Sequence, residues 1–149
     1  MFFSREDPTA DWPPAQAVPP LDLEHCALGT LGLGDPFEKA RSLGKPVKVS
    51  GKAPKRTLSY QTFQLEFDDT GLVCVSFNVD EPSRVAVGQF ELTRATQPID
   101  AQVWFGDPAS DTAADGLRWL DFQRGTATFA LEFDEEGLDC VQLYAEGYA

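Results

Sequence analysis

The chain is predicted to be an α+β domain of two tandem repeats, each a short helix plus an antiparallel β-meander, packed as one compact domain. Three observations lead to this. A fifteen-residue stretch occurs twice: FQLEFDDTGLVCVSF at 63–77 and FALEFDEEGLDCVQL at 129–143, with nine identities at a spacing of 66. Upstream the match resumes at a spacing of 62, where Leu58-Ser59-Tyr60 aligns with Leu120-Asp121-Phe122 and Gly44-Lys45-Pro46 with Gly106-Asp107-Pro108. Finally, a unit of roughly 60 residues is marginal alone, so the two copies should share a core or a sheet.

The elements follow in order. Residues 1–20 hold five prolines and little periodicity, and read as an extended arm held by Trp12. Repeat unit one then spans 21–92, beginning with 21–33 as a strand or irregular lead-in. Asp35, with Glu38 three residues on and Pro36 between them, predicts a capping box at a helix start. Phe37, Ala40 and Leu43 supply its apolar stripe, and Gly44 and Pro46 its stop. Strands are expected at about 47–50, 57–61, 63–68, 72–79 and 84–92. Repeat unit two spans 93–149. Its helix is expected at about 97–105, with Thr96 as cap, Ile99 and Val103 one turn apart, and Gly106 and Pro108 as the stop. Its strands are expected at about 117–122, 127–134 and 138–145. Polar loops are expected at 50–56 and 109–116.

The turns Asp68-Asp69-Thr70-Gly71 and Asp134-Glu135-Glu136-Gly137 suggest a three-residue hairpin loop with a glycine bulge. That register groups Phe63, Leu65 and Phe67 with Val73, Val75 and Phe77 on the core face. In unit two it groups Phe129, Leu131 and Phe133 with Val141 and Leu143, and leaves Asp139 as a misfit near the sheet margin. By alternation the opposite face carries Gln64, Glu66, Asp68, Leu72, Cys74 and Ser76. Its unit-two counterpart carries Ala130, Glu132, Asp134, Leu138, Cys140, Gln142, Tyr144 and Trp119.

The formal net charge is −12. Residues 1–56 hold eight basic and seven acidic side chains, whereas 57–149 hold four basic and seventeen acidic. Such a chain repels phosphate and is not expected to bind nucleic acid; it would steer towards a basic partner, or simply stay soluble. Seven of the twelve basic residues fall between Lys39 and Arg56, as an anion patch or as a solvated loop. No apolar run approaches the roughly 20 residues of a membrane span, and MFFSREDPTADWPP does not resemble a signal peptide, so a cytoplasmic location is expected. Three cysteines without CxxC spacing suit reduced thiols, with a Cys74–Cys140 disulfide left open.

Few residues point to catalysis. His25 is the only histidine, which removes two-histidine metal sites and most triads; a partly buried structural role is expected for it. The acidic turns are too short for a calcium loop, and no glycine-rich phosphate loop is present. No catalytic residue, metal or cofactor is expected. The partner-binding candidates are Trp119, Tyr144, Glu66, Asp68, Glu132 and Asp134, with Trp119 first because exposed tryptophan is enriched at binding hot spots. Its alternative is burial under the arm.

The segment LGLGDPFEKARSLGKP, followed by LSYQTFQLEFDDTGLVCVSF, resembles the repeat of the beta-lactamase-inhibitor-like superfamily, which includes small outer-membrane assembly lipoproteins. The resemblance covers most of 31–79 and, more weakly, 96–145. It implies a non-enzymatic α+β protein of tandem repeats whose concave sheet face grips another protein. The export signal and per-unit disulfide of that group do not appear here. The expected function is therefore an acidic protein-binding module, an inhibitor or immunity protein against a basic effector. The alternatives are a structural or small-ligand-binding domain, or a carboxylate-dependent hydrolase using acids such as Glu66 and Glu132.

Overall fold

A computed structural model describes residues 7–148. Thirteen strands dominate it: about 47% of residues are strand and 11% helical. This corrects the α+β expectation of helix-plus-meander repeats. The chain is mostly β, with two sheets and only two short helical segments among the described residues. The expected helices stay short because each is bounded closely by a proline at its start and a positive-φ glycine at its end, Pro36 and Gly44 in one, Pro98 and Gly106 in the other.

Short strands β1 (Leu21–Asp22), β2 (Ala27–Leu28) and β3 (Leu31–Gly32) are followed by a 3₁₀ helix, Phe37–Leu43. The first meander is β4 (Lys48–Lys52), β5 (Lys55–Ser59), β6 (Phe63–Asp68) and β7 (Gly71–Asn78). Hairpin β8 (Arg84–Val87) and β9 (Phe90–Thr93) leads to helix α1 (Pro98–Phe105). The second meander is β10 (Ser110–Ala114), β11 (Leu117–Arg124), β12 (Ala127–Asp134) and β13 (Gly137–Tyr144). The meanders join in one eight-stranded sheet, β10-β11-β12-β13-β7-β6-β5-β4. A five-stranded sheet, β3-β2-β1-β8-β9, is antiparallel except where β1 lies parallel to β8.

Several local expectations change. Asp35 does not cap the first helix; its Oδ2 accepts the Gly32 N–H at 2.7 Å and pairs with Lys39 at 3.0 Å. At the second helix Gln97, not Thr96, is the cap residue, and its N–H donates to Asp100 Oδ2 at 2.9 Å. Thr96 Oγ1 instead accepts the Thr93 N–H. The predicted strand 84–92 is a hairpin and belongs to the smaller sheet. The predicted loops 50–56 and 109–116 contain edge-strand residues, whose polarity reflects exposure rather than irregular backbone.

The hairpin register stands as expected along the strands, with Leu65 opposite Val75 and Leu131 opposite Val141, and differs by one step only at the turns. Asp68 pairs with Gly71 around a two-residue turn, Phe67 pairs with Leu72, and a bulge leaves Val73 as the extra residue before Glu66 pairs with Cys74. Asp134, Phe133 and Glu132 pair with Gly137, Leu138 and Cys140 in the same way, leaving Asp139 in the bulge. Leu72 and Leu138 therefore point into the core, not outward. The Asp139 misfit is resolved because the bulge frees that position from the alternation.

The meanders meet at β7 and β13. Ser76 pairs with Gln142, its own counterpart at the repeat spacing of 66, and the flanking pairs are Cys74–Tyr144 and Asn78–Cys140. A pseudo-two-fold axis therefore passes through Ser76 and Gln142, as in an isologous dimer seam. Beyond the ladder, Val79 N–H donates to Asp139 O and Ala145 N–H to Val73 O, both at 2.9 Å, again as counterparts. Phe63, Leu65, Phe67, Phe129, Leu131 and Phe133 face one continuous core, shared with Leu21, Leu31, Val87 and Leu92 of the smaller sheet and with Ala40 and Ala101 of the helices.

Both hairpin turns dock against the segment that opens the neighbouring helix. Leu72 N–H donates to Asp35 O at 2.9 Å, and Leu138 N–H to Thr96 O at 3.1 Å. A Cβ at Gly71 (φ +107°) would lie 2.4 Å from Gly34 O, and one at Gly137 (φ +143°) 2.2 Å from Arg94 O. Gly71→Ala and Gly137→Ala should each lower the unfolding free energy by about 2 kcal/mol or more in urea titrations. Gly125→Ala, at a positive-φ turn with nothing within 4 Å, should cost about 1 kcal/mol.

Candidate functional site

The helices and the smaller sheet cover one face of the eight-stranded sheet. The other face has no second layer among the described residues. Alternation on β6, β7, β12 and β13 sends Phe, Leu and Val to the core and leaves Gln64, Glu66, Ser76, Ala130, Glu132, Gln142 and Tyr144 on this open face. Trp119 joins them from β11, opposite Glu132.

Two rows related by the pseudo-two-fold axis organise the face. In one, Trp119, Glu132, Cys140 and Asn78 lie side by side across four strands. In the other, Thr57, Glu66, Cys74 and Tyr144 do so. Trp119 Nε1–H donates to Glu132 Oε1 at 3.0 Å, so the indole is half-buried and hydrogen-bonded on the sheet. The arm's own Trp12 packs on Phe37, with ring centroids 5.5 Å apart. Residues 1–6 of the predicted arm lie outside the described residues.

After β13 the chain turns back over the face. Tyr148 O–H donates to Glu66 Oε2 at 2.7 Å, and its ring lies 5.5 Å from that of Tyr144. Sequence reasoning misses Tyr148, because its role depends on a fold-back that no periodicity signals. Burial raises its phenol pKa, and the bond to Glu66 adds to this. Beneath it, burial pushes the Cys74 thiol up to about 12, and across the axis the Cys140 thiol up to about 11. Both are free. Their rows are four residues apart, about 13 Å along the strands, which is too far for a disulfide.

Asp68 and Asp134 sit at the hairpin ends instead. Asp68 Oδ1 accepts from the side chain and backbone of Thr70, which lowers its pKa. Asp134 Oδ1 accepts the Glu136 and Gly137 N–H groups, and its Oδ2 meets Arg94 Nη2 at 2.6 Å. Arg94 also donates to the Gly137 and Leu138 carbonyls, clamping this turn to the α1 side of the molecule. The guanidinium, then the turn N–H groups, hold the Asp134 carboxyl below its ordinary 3.8. Of the six candidates, Trp119, Tyr144, Glu66 and Glu132 share the open face, while Asp68 and Asp134 act as turn caps.

Other features are local. His25 is exposed rather than partly buried: its Nδ1 lies 2.6 Å from Asp22 Oδ2, and that bond raises its pKa. The ligating atoms of Asp22, Glu24 and His25 lie within 4.8 Å of one another, at the surface of a turn whose backbone N–H groups Asp22 already caps. A surface cleft of about 600 Å³ runs between Leu23–Cys26 and the Arg124–Ala127 turn, and one of about 520 Å³ adjoins it beside Leu21, Phe90 and Phe105. On the open face, a polar recess of about 250 Å³ is lined by Gln64, Ser76, Asn78, Asp80, Cys140 and Gln142. Among the described residues no helix is long and apolar enough to cross a membrane.

No protein-family model matches this chain, and no curated protein or solved structure matches it significantly.

Two outcomes are expected. Iodoacetamide at about pH 8, mapped by mass spectrometry, should label Cys74 about tenfold or more slowly than the half-buried Cys26, and Tyr148→Ala should speed labelling of Cys74 selectively. The Asp134 carboxyl, depressed in the folded state, contributes stability above its unfolded pKa and loses it as pH falls through the folded value. The urea midpoint should therefore fall between about pH 5 and pH 2, and Asp134→Asn should shrink that fall.

Proposed function

We propose that the chain is a non-enzymatic protein-binding module that engages a basic partner through the open face of its eight-stranded sheet. The observation that carries this reading is the face itself: among the described residues it is covered only at Tyr148, it is backed by the core, and it is lined by Trp119, Tyr144, Glu66 and Glu132 among small polar groups. Its two glutamates are accessible acceptors on an acidic chain, suited to steer a cationic surface into register. Trp119 and Tyr144 then supply flat apolar area with few rotamers to freeze.

A carboxylate-dependent reaction fits less well. Glu66 and Glu132 stand in different rows, each engaged by its own donor, Tyr148 or Trp119. Neither lines any of the three clefts described above. An inhibitor or immunity role is the biological form this binding would take, in the cytoplasm or wherever the basic effector acts.

The test is affinity capture from the native host with wild-type protein and with Glu66→Lys/Glu132→Lys and Trp119→Ala variants whose folding is checked by circular dichroism. A basic protein retained by wild type, released by salt and lost or weakened about tenfold by either variant would support the reading. A partner bound equally by all three proteins would overturn the assignment of the face.

A further inference from the structure

The pseudo-two-fold axis makes each unit a control for the other, and one large difference stands out around the helices. In unit one the N-terminal arm lies across the 3₁₀ helix. Trp12 packs on Phe37, Asp11 pairs with Arg41 at 3.4 Å, and Arg41 also donates to Asp11 O at 3.1 Å. The arm backbone then adds two bonds, Lys45 N–H to Pro13 O at 2.8 Å and Gln16 N–H to Leu43 O at 3.0 Å. Asp7 faces Lys45 at 3.9 Å. Contact is so close that a Cβ on Gly44 would lie 2.2 Å from Pro14 O.

The same place exists in unit two. Pro36 and Pro98 open the two helices, and Gly44 and Gly106 close them with similar backbone angles (φ +87°, ψ −174° and φ +90°, ψ −159°). At that spacing Phe37 corresponds to Ile99, Arg41 to Val103, Ser42 to Trp104 and Lys45 to Asp107. The positions at which the arm meets Phe37, Arg41 and Gly44 in unit one are uncovered in unit two among the described residues. Ile99 is 64% exposed and Val103 74%. Gly106 is exposed, and a Cβ placed on it would meet nothing within 4 Å. The Asp107 N–H makes no bond of the Lys45 kind among the described residues, and Phe105 O is met by the Arg124 side chain at 3.0 Å rather than by a backbone strand.

We infer that the outer side of α1 is a docking surface for an extended, proline-containing segment of another protein, carrying a basic side chain where this chain's own arm carries Asp7. The arm shows the binding mode: the Pro14-Ala15 backbone lies over the glycine cap, two main-chain bonds hold it, and Trp12 packs on the first helical turn. The chemistry of unit two sets the specificity. Replacing Phe37 and Arg41 by Ile99 and Val103 makes the strip apolar, and replacing Lys45 by Asp107 reverses its charge. The arm of a second copy suits this surface poorly, because Asp7 and Asp11 would face Asp107 and Val103. This surface is separate from the open sheet face.

The probe is a synthetic peptide of residues 7–18 carrying Asp7→Lys, the position that faces Lys45 in unit one and would face Asp107 in unit two, titrated into the whole ¹⁵N-labelled protein. Saturable amide shifts centred on Ile99, Val103 and Gly106 are expected, with weaker binding by the unsubstituted peptide. Ile99→Glu and Val103→Glu should abolish the shifts while leaving the rest of the spectrum unchanged, since both side chains are at the surface. No saturable shift at α1, or shifts centred on residues 37–45, would overturn the inference. So would equal binding of the two peptides. A concentration-dependent dimer in sedimentation that Ile99→Glu abolishes would overturn it in favour of a second copy of this chain.

Discussion

The pairing of β7 with β13 is the interaction on which the rest of this structure depends. It joins two four-stranded meanders, each too small to bury a core alone, into one sheet with a continuous apolar face. Because each of these strands pairs with its own counterpart, the seam satisfies both edge strands at once and, among the described residues, leaves β4 and β10 as the edges of that sheet. The geometry is that of a two-fold dimer built within one chain. It explains why a duplicated module produced a closed domain rather than an array open to further copies.

The bulges at Val73 and Asp139 make that seam compatible with the core. Without them, strict alternation would send Leu72 and Leu138 outward and bring an aspartate inward in unit two. With them, both leucines are fully buried, and the two bulge carbonyls accept the Ala145 and Val79 N–H groups across the seam. The glycines at 71 and 137 then let each hairpin end approach the backbone that opens the neighbouring helix. Turn, bulge and seam therefore form one device, used twice.

Where the copies differ, the differences concern surfaces. Unit one carries the exposed lysines of β4 and β5 and receives the arm; unit two holds only 3 basic residues against 11 acidic ones and leaves Ile99 and Val103 exposed. On the open face the rows also diverge: Trp119 stands where unit one has Thr57, and Tyr144 where it has Asn78. A scaffold that keeps its core equivalent while its two surfaces drift apart can offer different faces to different partners.

Much of this was legible in the chain itself. Nine identities in fifteen residues established the duplication, and alternation placed Glu66, Glu132, Trp119 and Tyr144 on one face, since strand periodicity survives any packing arrangement. Strands 63–68 and 127–134 stand at the predicted bounds. Fold class was not legible. Short apolar runs at 21–33 and 84–92 do not reveal that they pair with each other, and the two short segments between proline and glycine read as helical layers although they supply only a small fraction of the chain. The bulge step, the fold-back of Tyr148 over Cys74, and the covering of one helix but not the other come from contacts distant in sequence. Local pattern determined which residues face together; only the closing of the two meanders against the smaller sheet decided what each face meets.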